Sequence, residues 1–325
     1  MTVSDTGPVL HVPARDIPMP THISPQAQAM LARGPGEPFP DLPLDDLDAW
    51  RKRIALMDED VLARTAGWPV ADASVEEIQV DGVHVYVITP KGIGEDDQRV
   101  FLDIHGGAFI LGAGAVCRHT GLGAAARVGS RTWAVDYRMP PDHPFPVGLD
   151  DCMAAYRALL SEHRPEDIIV GGGSSGGNLA AALLLRVRDE GLPLPAAAVL
   201  LTPAVDFTGA GDTRYTNFGV DTVLSSRTDA ARNLYTNGHD LRDPYLSPIY
   251  GDFTNGYPPT LLASGTRDVL LSDTVRLHRA LRRAGIPAEL HVLEAAPHGW
   301  FFGTAPEDAE LDAEVRRFVN EHWPR

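Results

Sequence analysis

A chain of 325 residues, 44% of them hydrophobic, is long enough to bury one large α/β domain with an addition, or two modest domains. Its formal net charge of −16 argues against nucleic acid or an anionic membrane surface as the main partner, because both would repel it, and leaves a neutral or cationic small molecule. Only two cysteines occur, Cys117 and Cys152, which excludes a disulfide framework, a four-cysteine zinc site and a CxxC redox pair; both read as small apolar residues.

The first segment, MTVSDTGPVLHVPARDIPMP, has neither the basic stretch nor the apolar stretch of a leader, and no run of about 18 apolar residues follows, so the expected compartment is the cytoplasm. Residues 1–45 are rich in proline and read as extended or only loosely helical. In DDLDAWRKRIALMDEDVLARTAG, Leu47, Trp50, Ile54, Met57 and Val61 recur at spacings of three and four, which predicts a helix. The period then changes. Short β-rich runs lie at 83–90, 99–107, 131–138, 167–173, 196–203, 260–266 and 288–294, most of them closed by Gly or Pro. Helical patterns separate most of them: GLGAAARVG, VGLDDCMAAYRALLSEHR, NLAAALLLRVRDEG, SDTVRLHRALRRAG and the closing DAELDAEVRRFVNEHW. Alternating helices and near-continuous apolar strands predict an α/β fold, a mostly parallel sheet covered on both faces. Residues 204–258 break the rhythm with no clear strand, as a functional insertion would.

Between the strand DIIV and the helix NLAAALLLRV stands GGGSSGG. There Gly173-Ser174-Ser175-Gly176-Gly177 matches G-x-S-x-G with Ser175 at its centre, the strained strand-to-helix turn that lifts a serine above a sheet. The helix dipole behind it favours developing negative charge. The rival is a phosphate cradle. No P-loop lysine is present, but Gly171, Gly173 and Gly176 also fit the dinucleotide spacing G-x-G-x-x-G. That reading weakens because the acids about 20 residues on, Asp189 and Glu190, fall in a helix's last turn rather than at a strand end.

A serine nucleophile needs an acid, a base and an oxyanion hole. Asp268 follows the strand TLLASG and His298 follows the strand AELHVLE, in the chain order Ser, Asp, His. Asp273 reads as a helix cap. HGGAF, after the strand RVFLDI, offers the N–H groups of Gly107 and Ala108, with Gly106 shaping the turn and Gly176 supplying the donor after the nucleophile. His105 reads as a loop anchor rather than a catalyst. Among the aromatic residues, Phe109 is the one expected against the substrate.

Together HGGAF, DYRMPPDHPFPVGLDD, GGGSSGGNLA and DPYLSPIYGDFTNGYPPTLLASGTRDVLLSD with the closing PHGW resemble the hormone-sensitive-lipase family of α/β-hydrolases, in its bacterial esterase branch, from about residue 80 onward. The resemblance implies hydrolysis of short-chain carboxylic esters by Ser175, His298 and Asp268, with no metal and no organic cofactor. It also implies that residues 1–75 form an N-terminal cap segment, that 76–325 form the catalytic domain, and that part of the 204–258 insertion completes a helical cap over the serine. A homodimer through the last sheet edge is a further implication. The chain departs from the family pattern in three places: Ala108 stands for the third loop glycine, Ser174 and Gly176 flank the serine, and the YRLAPE motif reads Tyr137-Arg138-Met139-Pro140-Pro141-Asp142. The same triad would serve a lactone or amide hydrolase, and the same scaffold without catalysis a small-molecule receptor; the presence of His298 argues for activity.

Overall fold

The computed structural model describes residues 9–36, 38–225 and 228–324. Strands β2 (Val83–Pro90), β3 (Val100–Ile104), β4 (Arg131–Asp136), β5 (Ile168–Gly173), β6 (Ala197–Leu201), β7 (Thr260–Gly265) and β8 (Ala288–Leu293) form where the apolar runs place them. An additional strand, β1 (Ala73–Val80), pairs with β2 in an antiparallel hairpin. The sheet order is β1-β2-β4-β3-β5-β6-β7-β8. Pairing from β4 through β8 is parallel, and β2 runs antiparallel to both of its neighbours, β1 and β4.

Alternation along the buried strands sends residues to two separate cores. Leu102, Ile104, Ile168, Val170, Ala198, Leu200 and Leu262 pack with α4 (Val147–Glu162), α5 (Ser175–Asp189) and α8 (Leu271–Arg283). Phe101, Ile169, Val199, Leu201, Leu261 and Ala263 pack with α3 (Ala115–Val128) and α9 (Pro306–His322). Burial on both faces is why these strands carry unbroken apolar runs, and in such sheets sites form outside the C-terminal ends of the strands.

The N-terminal segment divides. A short helix, α1 (Pro25–Leu31), is capped by Ser24, whose hydroxyl accepts from Ala27 N at 3.1 Å and donates to Glu307 of α9 at 2.8 Å. Ile23, Ala27, Met30 and Leu31 belong to the α9 core, so this stretch supports the sheet. Helix α2 (Leu47–Thr65) instead meets α7 (Asp229–Thr236): Trp50, Ala231 and Leu234 are buried together over Ile110 and Leu111. The 204–258 insertion holds α7 and a shorter helix, α6 (Thr213–Thr216), and no strand among the described residues. No helix of the described residues is long and apolar enough to cross a membrane.

Candidate active site

Strand β5 ends at Gly173, and α5 begins at Ser175. Ser174, between them, takes φ 56° and ψ −117°, a conformation that L-residues avoid and that a strand-to-helix elbow imposes. The glycines show which serine the turn is built around. A Cβ on Gly172 would lie 2.5 Å from the Ile104 carbonyl oxygen, and one on Gly176 would lie 1.9 Å from it. At Gly173 the nearest atom would be 3.8 Å away, and at Gly177 3.0 Å. The strict pair therefore stands two residues on either side of Ser174.

This corrects the sequence reading by one residue. His298 Nε2 lies 2.9 Å from Ser174 Oγ. Ser175 is 1% exposed; its hydroxyl turns into the core beside the Tyr137 phenol, without an aligned partner. The run Gly-Gly-Ser-Ser-Gly-Gly fits G-x-S-x-G in two registers, and one step along a helix turns a side chain by about 100°, so only one of the two hydroxyls can face the histidine. Gly176 changes role with it: it no longer follows the central serine, and its bare Cα is what lets α5 start against the end of β3.

Asp268 and His298 stand in the loops after β7 and β8 as expected. Asp268 is fully buried; its Oδ1 accepts from Leu270 N at 2.8 Å and from His298 Nδ1 at 3.1 Å, and its Oδ2 accepts from Ser264 Oγ at 2.8 Å. With Nδ1–H committed to the carboxylate, Nε2 keeps its lone pair for the Ser174 hydroxyl proton.

A second buried carboxylate, Asp221 of the insertion, was not foreseen. Its Oδ1 accepts from His298 N at 3.3 Å, Val223 N at 2.9 Å and Leu224 N at 3.1 Å, while Oδ2 accepts from Val269 N at 3.1 Å. One side chain thus ties the acid loop, the base loop and the insertion together. Asn217 adds to the tie by donating to the Thr266 and Asp268 carbonyls at 3.1 and 2.9 Å. Burial alone would lower the His298 pKa, but Asp268, and behind it Asp221, outweigh burial and the opposing Arg214, and the net shift is upward.

Asp273 is a correction of another kind. It does not cap α8; it is fully buried and accepts from Arg214 at 3.0 Å and from Asp206 N at 3.2 Å. Burial, only partly offset by Arg214, pushes its carboxyl up to about 6.

The loop after β3 carries the other residues expected at the site. Gly107, Ala108 and Phe109 all have positive φ, at 130°, 53° and 65°. Among the described residues no protein acceptor takes the N–H of Gly107, Ala108 or Ser175, the last being the first residue of α5, where helix N–H groups are unpaired. Gly106 abuts the elbow: a Cβ there would lie 2.9 Å from the Gly173 oxygen. The loop is anchored from four directions. His105 Nδ1 donates to Gly106 O at 2.8 Å, Tyr137 Oη donates to His105 O at 3.0 Å, Gly112 N donates to Asp58 of α2 at 2.9 Å, and Gly114 N donates to Asp136 at 3.0 Å. Phe109 is 5% exposed, stacked on Tyr235 at 4.1 Å and tilted against Phe207 at 5.2 Å.

A family model described as alpha/beta hydrolase fold matches residues 101–302, well over half of the chain and all of the loops just described. The chain belongs to the α/β-hydrolase family. This hydrolase is 37% identical to an acetyl-hydrolase of Streptomyces hygroscopicus over 63% of its own length and 69% of the relative's. It is 34% identical to an esterase of Acinetobacter venetianus over 68% of its own length and 74% of the relative's. Among solved structures it is similar to esterase E25, with a TM-score of 0.87 and 35% identity over 97% of this chain and 99% of that one. It also resembles an esterase from the bacterial hormone-sensitive lipase family, with a TM-score of 0.79 and 30% identity over 93% of this chain and 99% of that one. The hydrolase therefore sits among bacterial esterases of the hormone-sensitive-lipase family, as its motifs suggested.

Proposed function

We propose that this ester hydrolase cleaves short-chain carboxylic esters through an acyl-enzyme on Ser174, with His298 as general base and acid and Asp268 as its orienting partner. The observation that carries the reading is a single imidazole hydrogen-bonded to Asp268 through Nδ1 and to Ser174 through Nε2. His298 takes the proton of Ser174 as Oγ attacks the ester carbonyl carbon. The N–H groups of Gly107, Ala108 and Ser175 hold the oxyanion, and each such donor is worth about 3 kcal/mol of barrier. Collapse expels the alkoxide, which leaves as the alcohol with the proton from His298. Water then attacks the acyl carbon with His298 again taking a proton, and the carboxylic acid leaves as Ser174 regains its own. Asp268 stays ionised throughout and stabilises the imidazolium.

Short acyl chains are favoured by the Ala108 methyl beside the donors and by the packed Phe109, Phe207 and Tyr235 rings, and the name of the related acetyl-hydrolase points the same way. Helices α2 and α7, joined over Ile110 and Leu111, form the cap in this reading.

The test is hydrolysis of p-nitrophenyl esters from acetate to laurate by the wild type, Ser174→Ala and Ser175→Ala. Ser174→Ala is expected to lose activity by a factor on the order of 10⁴ to 10⁶ with little change in Tm, and Ser175→Ala to stay within about tenfold of wild type. Wild-type activity rising toward laurate would remove the short-chain part of the reading.

A further inference from the structure

We propose that His105, Cys117 and Asp136 form a binding site for a thiophilic divalent cation such as Zn²⁺ behind the oxyanion loop, through which the cation lowers esterase activity. Each residue offers one donor atom, and the three atoms lie within 4.8 Å of one another. His105 is 4% exposed and Cys117 fully buried. Because His105 Nδ1 must carry the proton it donates to Gly106 O, Nε2 holds a lone pair, and among the described residues that buried nitrogen has no hydrogen-bond partner. An unsatisfied buried acceptor destabilises the fold, and a metal ion bound to it would remove that penalty.

The donor set has a definite chemistry. One imidazole nitrogen, one thiolate and one carboxylate oxygen match a three-ligand zinc site with a fourth position open, and sulfur and imidazole select Zn²⁺ or Co²⁺ over Mg²⁺ or Ca²⁺. Bonds of about 2.0–2.3 Å in a tetrahedron place donors about 3.3–3.8 Å apart, so the cluster must close by about 1 Å. Supporting contacts of the kind that orient metal ligands are in place: Gly106 O on His105 Nδ1, Gly114 N on Asp136 Oδ1 at 3.0 Å, and His84 Nδ1 facing Asp136 Oδ2 at 3.3 Å. Asp58 stands close enough for the Asp136 charge to act on it, which adds negative potential for a cation. Both carboxylates line an open groove beside α2 together with Arg51 and Arg138, so the Asp136 side of the cluster faces solvent. Binding forms N–metal, S–metal and O–metal bonds and releases one proton, from the Cys117 thiol, with no change of oxidation state.

The consequence for activity follows from His105. Coordination through Nε2, the ring nitrogen left without a partner, would move the ring whose other nitrogen holds Gly106, next to Gly107 and Ala108. Displacements of about 1 Å at a reacting centre cost up to about a hundredfold in rate. The inhibition rests on the ester-hydrolase reading; the binding does not.

The experiment titrates chelator-treated protein with Co²⁺ and then competes it with Zn²⁺. The wild type is expected to take one equivalent of Co²⁺ with a near-ultraviolet thiolate-to-metal band that Zn²⁺ erases, and Zn²⁺ is expected to lower p-nitrophenyl acetate hydrolysis about tenfold or more, reversibly with EDTA. Cys117→Ser and Cys117→Ala, each compared with its own metal-free activity, should lose both the band and the inhibition, while Cys152→Ser, which alters the other buried thiol, should keep both. Absence of the band in wild type overturns the site whether or not the variants fold or the protein hydrolyses esters. Persistence of the band or the inhibition without Cys117 also overturns it.

Discussion

The elbow around Ser174 is held by backbone pressed against backbone, whereas the 204–258 insertion is held by buried carboxylates. At the elbow, Gly172 and Gly176 meet the Ile104 carbonyl so closely that no side chain fits, and no titratable group takes part. In the insertion, Asp206 and Asp221 are fully buried, as is Asp273 on α8, which accepts from Asp206 N; Asp206 accepts from Arg276 at 2.5 Å, Asp273 also from Arg214, and Asp221 from four backbone N–H groups. The difference teaches that the position of Ser174 is set by steric contact and is insensitive to pH, while the position and basicity of His298 depend on buried carboxylates, Asp268 after β7 and Asp221 of the insertion.

The largest effect expected from this contrast is at the elbow. Gly176→Ala places a methyl 1.9 Å from a carbonyl oxygen that cannot yield, and should cost about 3 kcal/mol or more, seen as a collapse of Tm and of activity. Gly173→Ala, where the nearest atom is 3.8 Å away and φ is not positive, should keep Tm within about 4 °C; the reverse ranking would place the strict glycines around Ser175 instead.

Next comes the insertion. Asp221→Asn keeps an oxygen for three of the N–H groups but turns an NH₂ toward Val269 N and removes a negative charge near His298. A loss of about tenfold in kcat/KM is expected, from donors left unpaired around the acid and base loops. The pH profile separates positioning from charge. His298 must be neutral to act, so activity falls as pH drops through its pKa, which lies above the ordinary imidazole value of about 6.5. Among the charges facing the ring, Asp268 and Asp221 raise that pKa and Arg214 lowers it, so the acid limb of Asp221→Asn should move to lower pH. An unmoved limb would make Asp221 a purely structural tie.

A smaller effect is expected at Asp273. Its folded pKa, raised to about 6, lies above its unfolded value, so its contribution to stability is complete below the unfolded value and is lost as pH rises through about 6. Asp273→Asn removes that loss, and its Tm relative to wild type should be higher at pH 8 than at pH 5 by about 2–4 °C, read by thermal unfolding at the two pH values. The smallest change is Ala108→Gly. Relief of an L-residue at φ 53° and the added freedom of the unfolded chain oppose one another, so stability should shift by less than about 1 kcal/mol, while hydrolysis of longer acyl esters should improve relative to acetate.

How far the sequence could be read follows the same division. Strands β3 and β5 to β7 were legible because burial on both faces makes them continuous apolar runs, the half-buried edge strand β8 because of its β-rich composition, and Asp268 and His298 because they follow β7 and β8 in the chain. Strand β1 escaped because it is an edge strand with a half-exposed pattern, although the Asp81-Gly82 turn between Val80 and Val83 is a hairpin signal. Helix α1 escaped inside a proline-rich segment, although Ser24-Pro25 is a cap followed by a proline at the first helical position. Ser174 could not be separated from Ser175 by spacing, since glycines flank both; the carbonyl of Ile104 makes the choice, and it lies about 70 residues away in the chain. Asp221 left no signal at all, because a buried carboxylate facing backbone N–H groups looks in sequence like any loop aspartate.

The central claim is that chemistry occurs on Ser174, and covalent labelling tests it most directly. Wild-type protein inactivated with a p-nitrophenyl alkylphosphonate, digested and sequenced by mass spectrometry should carry the phosphonyl group on Ser174, with Ser175 unmodified. The group on Ser175 would contradict the geometry of His298 and return the nucleophile to the other register of the glycine run.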